Sequence, residues 1–592
     1  MSIFIELLNG RNFEYMGEDP YLSSIMVVPY IHGLQSMGVA ACLKHYALNN
    51  QELYRDKINV HVSKRALHEI YLPAFKAAVT KGQVWSVMGA YNQYMGEFCC
   101  HNDYLLNQVL KKNWQFDGAV ITDWGGAHDT KQAALNGLDI EMGTGSDGLT
   151  YSLKNAYDNY FMAQPLLDKI KSGEIAEIYL NDKVKRVMRL RYRTNMMPNR
   201  PSGKMNNIAH LQAARKIATE GIVLLKNEAN FFPIKSDAKI TIAVIGENAT
   251  RSMSKGGGSS ELKPKTEISP LRGIKERFKN ATIIYAIGYG SGQSVYGSVK
   301  PSPYNAKKLK KEALKVAAKA DVVLFMGGLN KSHQQDCENS DRLSYGLPFG
   351  QEDLIQEISK INKNIAVILI SGNAVAMPWI NDVKTVIQSW YLGSEAGNAI
   401  ADVISGAVTP SGKLPFTFPM KLEDNAAISF GKISYPGDGV NEYYKEGILV
   451  GYRWNDTKNL KPMYAFGYGL SYTTFNFLDI VSNKKNYSED EIIKVDCTLK
   501  NTGKVAGAEV IQVYVGKPNS KVKRALKELK GFDKVFLKSG ELKKVSLTIN
   551  VSDLKYYDEK VSDWVLEKGE YIIYVGNASN HILKELKIRI DD

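Results

Sequence analysis

The chain has 592 residues, 44% of them hydrophobic, and a formal charge of +13 at pH 7, so it is too long for one hydrophobic core and has apolar content enough for about three. Its lysines are spread over many segments, as in LKKEALKVAAKA (309–320), spaced like the wet face of an amphipathic helix. No basic run alternates with aromatics in a recognition module, so a nucleic-acid partner is not expected.

Five cysteines without metal-ligand spacing point to neither a disulfide framework nor a zinc site. No apolar run reaches membrane-spanning length, so no membrane partner is expected. The opening MSIFIELLNG lacks a basic flank, a sufficient apolar stretch and a small-residue cleavage site, so the chain as written carries no export signal.

In chain order, residues up to about 205 alternate short apolar runs, VAACLKHY (39–46), VWSVMGAYN (84–92), GAVITD (118–123) and GLDIEM (137–142), with helical segments such as SKRALHEIYLPAFKAAVTKG (63–82). That alternation predicts parallel strands joined by crossover helices, as in a (β/α)8 barrel. In such a barrel the strand ends converge on one face. Lys44-His45, Tyr91-Asn92, Asp123-Trp124 and Glu141 stand at those ends. A simpler reading of Asp123 is a helix N-cap. Lys44 and Arg55 read equally as surface ion pairs, His45 as a core histidine, and Tyr91 and Trp124 as core aromatics.

From 206 to 420 a long helical pattern, HLQAARKIATEGIVLLKNE (210–228), precedes strand signals TIAVIGEN (241–248), DVVLFMGGLN (321–330), NIAVILISGN (364–373) and KTVIQSWYLG (384–393), which predict a second α/β layer domain. The glycine-rich KGGGSS (255–260) lacks the Gly-Lys-Ser/Thr ending of a phosphate loop, so nucleotide binding is not expected. A connector rich in Gly, Pro and Tyr (421–465) leads to a third texture, 466–592. There EIIKVDCTLKNTG, AEVIQVYVGK, KKVSLTINVS and GEYIIYVGN alternate at sandwich-like spacing.

Seven motifs, GRNFEYMGEDPYL (10–22), CLKHYALNNQELYR (42–55), WSVMGAYNQYMGEFCCHNDYLL (85–106), FDGAVITDWGG (116–126), EGIVLLKNEANFFPI (220–234), GKLPFTFP (412–419) and YAFGYGLSYTTF (464–475), resemble in order and spacing the motif series of glycoside hydrolase family 3. The resemblance covers essentially the whole chain. It implies a (β/α)8-type barrel, an α/β sandwich and a C-terminal fibronectin type III-like β-sandwich. The implied activity is retaining, exo-acting hydrolysis of β-glycosides, most plainly a β-glucosidase, on a small carbohydrate substrate without metal or cofactor.

Retention needs one carboxylate as nucleophile and another as acid and then base. The resemblance places the nucleophile at Asp123. It aligns Glu338, in the loop GGLNKSHQQDCENSDRLSYGLPFGQEDL (327–354), with the acid/base, and Asp336 and Asp341 are rivals on that loop. Asn339 stands where many members have Gly. Arg11, Lys44, His45, Arg55 and Tyr91 would contact the sugar or orient the nucleophile, Trp124 would form an apolar wall, and Ser259 would reach the sugar from the second domain.

Two departures set the alternatives. A full barrel takes about 250 residues, whereas 1–205 precede the second domain and carry four strand signals, so the barrel is expected to be incomplete, without the family's Asp-Gly-Pro segment. The rival expectation is therefore a catalytically silent fragment or sugar-binding protein. Within enzymes the rivals are β-xylosidase and β-N-acetylglucosaminidase, the latter opposed by KHYALNN where single-domain hexosaminidases carry KHFPGHG. A homodimer is a further expectation, as is a periplasmic or secreted location for an intact protein.

Overall fold

The computed structural model describes residues 5–143 and 160–591. Three parallel strands, β1 (Cys42–Tyr46), β2 (Ser86–Gly89) and β3 (Ala119–Ile121), form the first sheet in that order. Val87 pairs with Leu43 on one side and Val120 on the other, and all three are buried. The fourth apolar run joins by a single bridge, Ile121 to Ile140. There the Asp139 carboxylate takes the Val120 N–H at 2.8 Å. The described first sheet thus has three strands and a bridge where four strands are expected.

The helical pattern of 63–82 breaks at Pro73, which has no N–H to continue the ladder, leaving helical stretches Lys64–Ala66, Leu67–Tyr71 and Pro73–Thr80. Before β1, helix α1 (Pro20–Gln35) starts on Asp19, whose carboxylate accepts the Leu22 N–H. Among the described residues no helix is long and apolar enough to cross a membrane.

The periodic run of 210–228 divides in two. Helix α2 (Ile208–Gly221) stops at its glycine, and the apolar VLLKN becomes strand β4 (Val223–Asn227). A short apolar run satisfies either period, and burial decides it here: Val223, Leu224 and Leu225 are all buried. With β5 (Thr241–Ile245), β6 (Thr282–Ala286), β7 (Val322–Gly328), β8 (Ile365–Ile370) and β9 (Thr385–Gln388) it makes a six-stranded sheet of order β4-β9-β8-β7-β5-β6. Only the β4 edge pairs antiparallel. Strand β6 has no counterpart among the sequence expectations.

The last part is two antiparallel layers. One holds β10 (Phe475–Ser482), β11 (Ile492–Asn501) and β14 (Leu542–Asn550). The other is built on β12 (Gly507–Gly516), β13 (Glu528–Leu537), β15 (Gly569–Ala578) and β16 (His581–Ile590). One tyrosine ties the extremes of the chain together. Tyr452 donates its hydroxyl to Asp19 at 2.9 Å and accepts the Leu529 N–H of β13 at 2.8 Å. Beside it Arg453 pairs with the same Asp19 at 2.8 Å, both side chains buried.

Removing one partner of a buried ion pair strands the other charge. The substitution Asp19→Ala is expected to lower unfolding free energy by roughly 3–5 kcal/mol, with part of the loss from the missing helix cap. Urea unfolding followed by circular dichroism measures it, and a loss under about 1 kcal/mol would contradict this account.

Candidate active site

The carboxyl ends of β1, β2 and β3 carry Lys44-His45, Tyr91 and Asp123-Trp124 to one face. Asp123 is buried and caps no helix: its Oδ1 accepts the Trp124 N–H at 2.9 Å, while the next helix, Thr130–Leu135, is capped by Asp129. Its Oδ2 lies 3.3 Å from His45 Nε2. The Tyr91 hydroxyl donates to the Trp124 carbonyl at 3.0 Å and lies against Asp123 as well. Trp124 is 47% exposed, a wall at the mouth rather than a core aromatic. Lys44 stands at the rim, its Nζ 3.8 Å from Glu14 Oε2.

Two buried arginines lie between this face and the second domain. Arg11 grips Glu14 through Nε (3.0 Å) and Nη2 (2.8 Å), and its Nη1 lies 3.6 Å from Glu338 Oε1. Arg55 stacks on the Tyr91 ring at 4.7 Å. Its Nη1 donates to Glu52 Oε2 at 2.6 Å and its Nη2 to Glu338 Oε1 at 3.1 Å. Neither arginine is a surface ion pair.

Glu338 arrives on the loop after β7, and its rivals there are committed elsewhere. Asp336, fully buried, accepts from Gly372 N, Asn373 Nδ2 and the Tyr391 hydroxyl. Asp341 accepts the N–H groups of Gly10, Glu52 and Leu53 and the Tyr435 hydroxyl. Asn339 has φ 64°, left-handed backbone that suits Gly and that Asn tolerates, which explains the departure at this position.

The last glycine of the run 256–258 cradles the Glu338 carboxylate. Ser259 N–H donates to its Oε2 at 2.8 Å, so the contact found for Ser259 is with Glu338, not yet a sugar. Gly10 touches the same loop: a Cβ there would lie 1.9 Å from the Ser340 carbonyl. Glu52 and Glu14 were missed as site residues although the motifs containing them are plain; spacing does not report which acids are buried.

The charges are distributed against simple expectation. Burial pushes the Asp123 carboxyl up, opposed by the Trp124 N–H, Arg11, Arg55 and Tyr91. Glu338 is also raised by burial, but Arg11, Ser259 and Arg55 outweigh it and hold the carboxyl at about 2. Burial, with Arg11 and Lys44 nearby, holds His45 well below its usual range. His45 is thus neutral, and the cationic support for Asp123 comes from Arg11 and Arg55. Among the described residues no group of three or more His, Cys, Asp or Glu side chains is arranged to hold a metal ion.

Family models match this architecture in order: the glycosyl hydrolase family 3 N-terminal domain over 6–190, its C-terminal domain over 222–472, and a fibronectin type III-like domain over 509–579. A beta-glucosidase of Bacteroides ovatus, BoGH3A, is 51% identical over 98% of this chain and 79% of its own length. The chain belongs to glycoside hydrolase family 3. Thermostable beta-glucosidase B of Acetivibrio thermocellus is 39% identical over 99% of this chain and 73% of its own. The crystal structure of a family 3 beta-glucosidase from Bifidobacterium adolescentis superposes with a TM-score of 0.88 at 34% identity, covering 100% of this chain and 82% of that one. The N-terminal match over 6–190 gives no support to the expectation that the first domain lacks part of its barrel.

Gly258 has φ 81°, and a Cβ there would meet Glu338 Cβ at 2.6 Å and Oε2 at 2.7 Å. Gly258→Ala is expected to displace that carboxylate and cut kcat/KM on an aryl β-glucoside by on the order of a hundredfold, with the unfolding midpoint lowered only slightly. Wild-type turnover would show that the glycine cradle does not place Glu338.

Proposed function

We propose that this protein is a retaining, exo-acting β-glycoside hydrolase that releases glucose from the non-reducing ends of β-glucosides, with Asp123 as nucleophile and Glu338 as acid/base. The observation that carries the reading is the arginine pair. Arg11 and Arg55 act on both a strand-end aspartate of the first domain and a loop glutamate of the second. Two carboxylates on one cationic hub, from elements on opposite sides of a cleft, are what a double displacement requires, at a separation of about 5 Å.

In the first step an Asp123 oxygen bonds to the anomeric carbon as the glycosidic C–O bond breaks and Glu338 gives its proton to the departing oxygen. In the second, Glu338 takes a proton from water, and that water opens the glycosyl ester. Arg11 and Arg55 stabilise whichever carboxylate is anionic, Asp123 before the ester forms and Glu338 after it. Neutral His45, its Nε2 3.3 Å from Asp123 Oδ2, lies beside the nucleophile without adding a charge. Lys44 and Trp124, at the exposed rim, bind the sugar's hydroxyls and its apolar face. Ser259, on the opposite rim, orients Glu338 through its N–H and reaches the sugar with its hydroxyl.

Glucose is favoured over xylose by the beta-glucosidase relatives. The residues named belong to one chain, so the chemistry needs no second copy, and the proposed homodimer would not alter it. A silent sugar-binding protein is the reading to exclude.

An activated 2-deoxy-2-fluoro-β-glucoside is expected to inactivate the enzyme by esterifying Asp123, seen as one added fluoroglucosyl mass on the peptide that contains it. A label on another residue, or none with the protein folded, would overturn the nucleophile assignment. On a panel of aryl glycosides the β-glucoside is expected to be turned over fastest; a faster β-xyloside would reverse the sugar preference.

A further inference from the structure

A third carboxylate, Glu52, is built into this site. Its side chain has no exposure at all, and it is bound to the Glu338 loop by two routes. Oε2 accepts Arg55 Nη1 at 2.6 Å, and the other arm of that guanidinium reaches Glu338. The same Oε2 accepts the N–H of Asn339, the residue after Glu338, at 2.7 Å. The Glu52 N–H in turn donates to Asp341 on that loop at 3.0 Å. We infer that Glu52 is a positioning residue that shares the Arg55 guanidinium with Glu338 and so opposes the arginines' hold on the ionised form of Glu338, strengthening its grip on the proton the leaving group needs. The inference rests on the acid/base reading of Glu338.

A guanidinium engaged by one carboxylate has less to give another. Arg11, Ser259 and Arg55 hold Glu338 at about 2 even with Glu52 in place, and with Arg55 wholly at its disposal Glu338 would give up its proton more readily still. An ionised Glu52 draws Arg55 toward itself and adds a negative charge next to Glu338; both effects favour protonation of Glu338. The groups facing Glu52 are the cations Arg55 and Arg11, the anion Asp341, Tyr15, Cys337, Tyr296 and, across Arg55, Glu338 itself. Burial, outweighing Arg55 and Arg11, pushes the Glu52 carboxyl up to about 7, so its charge changes in the neutral range.

The balance of the step fixes its signature. The proton passes from Glu338 to the glycosidic oxygen while the bond to Asp123 forms. Aryl glucosides with good leaving groups need that proton little, and poor ones need it fully. A residue that merely holds the fold would not separate the two.

The test is Glu52→Gln in the full chain, which keeps an acceptor for the Asn339 N–H but removes the charge. On phenyl β-glucoside the alkaline limb of kcat/KM is expected to move down by about one pH unit. The loss at pH 7 should be about tenfold greater than on 2,4-dinitrophenyl β-glucoside. Glu52→Asp, which keeps the charge, should restore the limb, and it serves if the glutamine variant does not fold. An unmoved limb with equal losses on both substrates would overturn the inference. Glu338→Ala with azide tests the underlying reading separately. Restored turnover with a β-glucosyl azide product supports the acid/base role, and its failure would remove both.

Discussion

Two guanidinium groups buried at a domain boundary are the constraint on which the rest of this structure depends. Arg11 is 1% exposed and Arg55 9%, and a cation so placed costs several kcal/mol unless it is paired. Glu14 and Glu52 on the first domain pair them only in part. Glu338 completes the set from the second. Closing the domains and assembling the site are therefore one event, because the two arginines meet Glu338 only when the second domain's loop arrives.

The backbone around the arginines is shaped by the same demand. Gly10, directly before Arg11, lets the chain run against the Cys337 and Ser340 carbonyls. Asp341 collects three backbone N–H groups from the first domain and a hydroxyl from the connector. The connector adds a strand, Asn441–Tyr443, parallel to Asn59–His61 just beyond Arg55. A few residues on, Tyr452 and Arg453 reach back to Asp19 while Tyr452 holds β13. The β-sandwich lies outside the site, yet this buried junction ties it to the first domain.

What could be read in the sequence follows the range of the forces involved. Strands and helices were legible where a local pattern settles burial, as in β7 and β8, whose runs are apolar on both faces. They were misread where a short apolar run fits either period, as with Val223–Asn227, or missed where it is only half-buried, as with Thr282–Ala286. The site residues were legible through motif resemblance, because strand ends gather Lys44, His45, Tyr91 and Asp123 whatever lies between. Their charge states were not. Proton affinity depends on burial and on neighbours hundreds of residues away: His45, beside an acid, is buried and neutral, and Glu52, three residues from Arg55, is enclosed by a loop 287 positions further on.

The charge states also bear on how one glutamate can both give and take a proton. In the arrangement seen, Glu338 is held anionic, the form that would remove a proton from water in the second step of the proposed cycle. The first step needs the opposite form, and the cleft contains the means to reach it: Asp123 is itself a carboxylate, and two anions around one arginine pair oppose each other's ionisation. In the proposed cycle, esterifying Asp123 would remove its charge, the opposition would end, and the arginines would draw Glu338 to the ionised state. Making the ester would thus turn the proposed acid into a base. A single uncontested arginine for each carboxylate would lose this coupling, and sharing the cations is what makes the two steps one cycle.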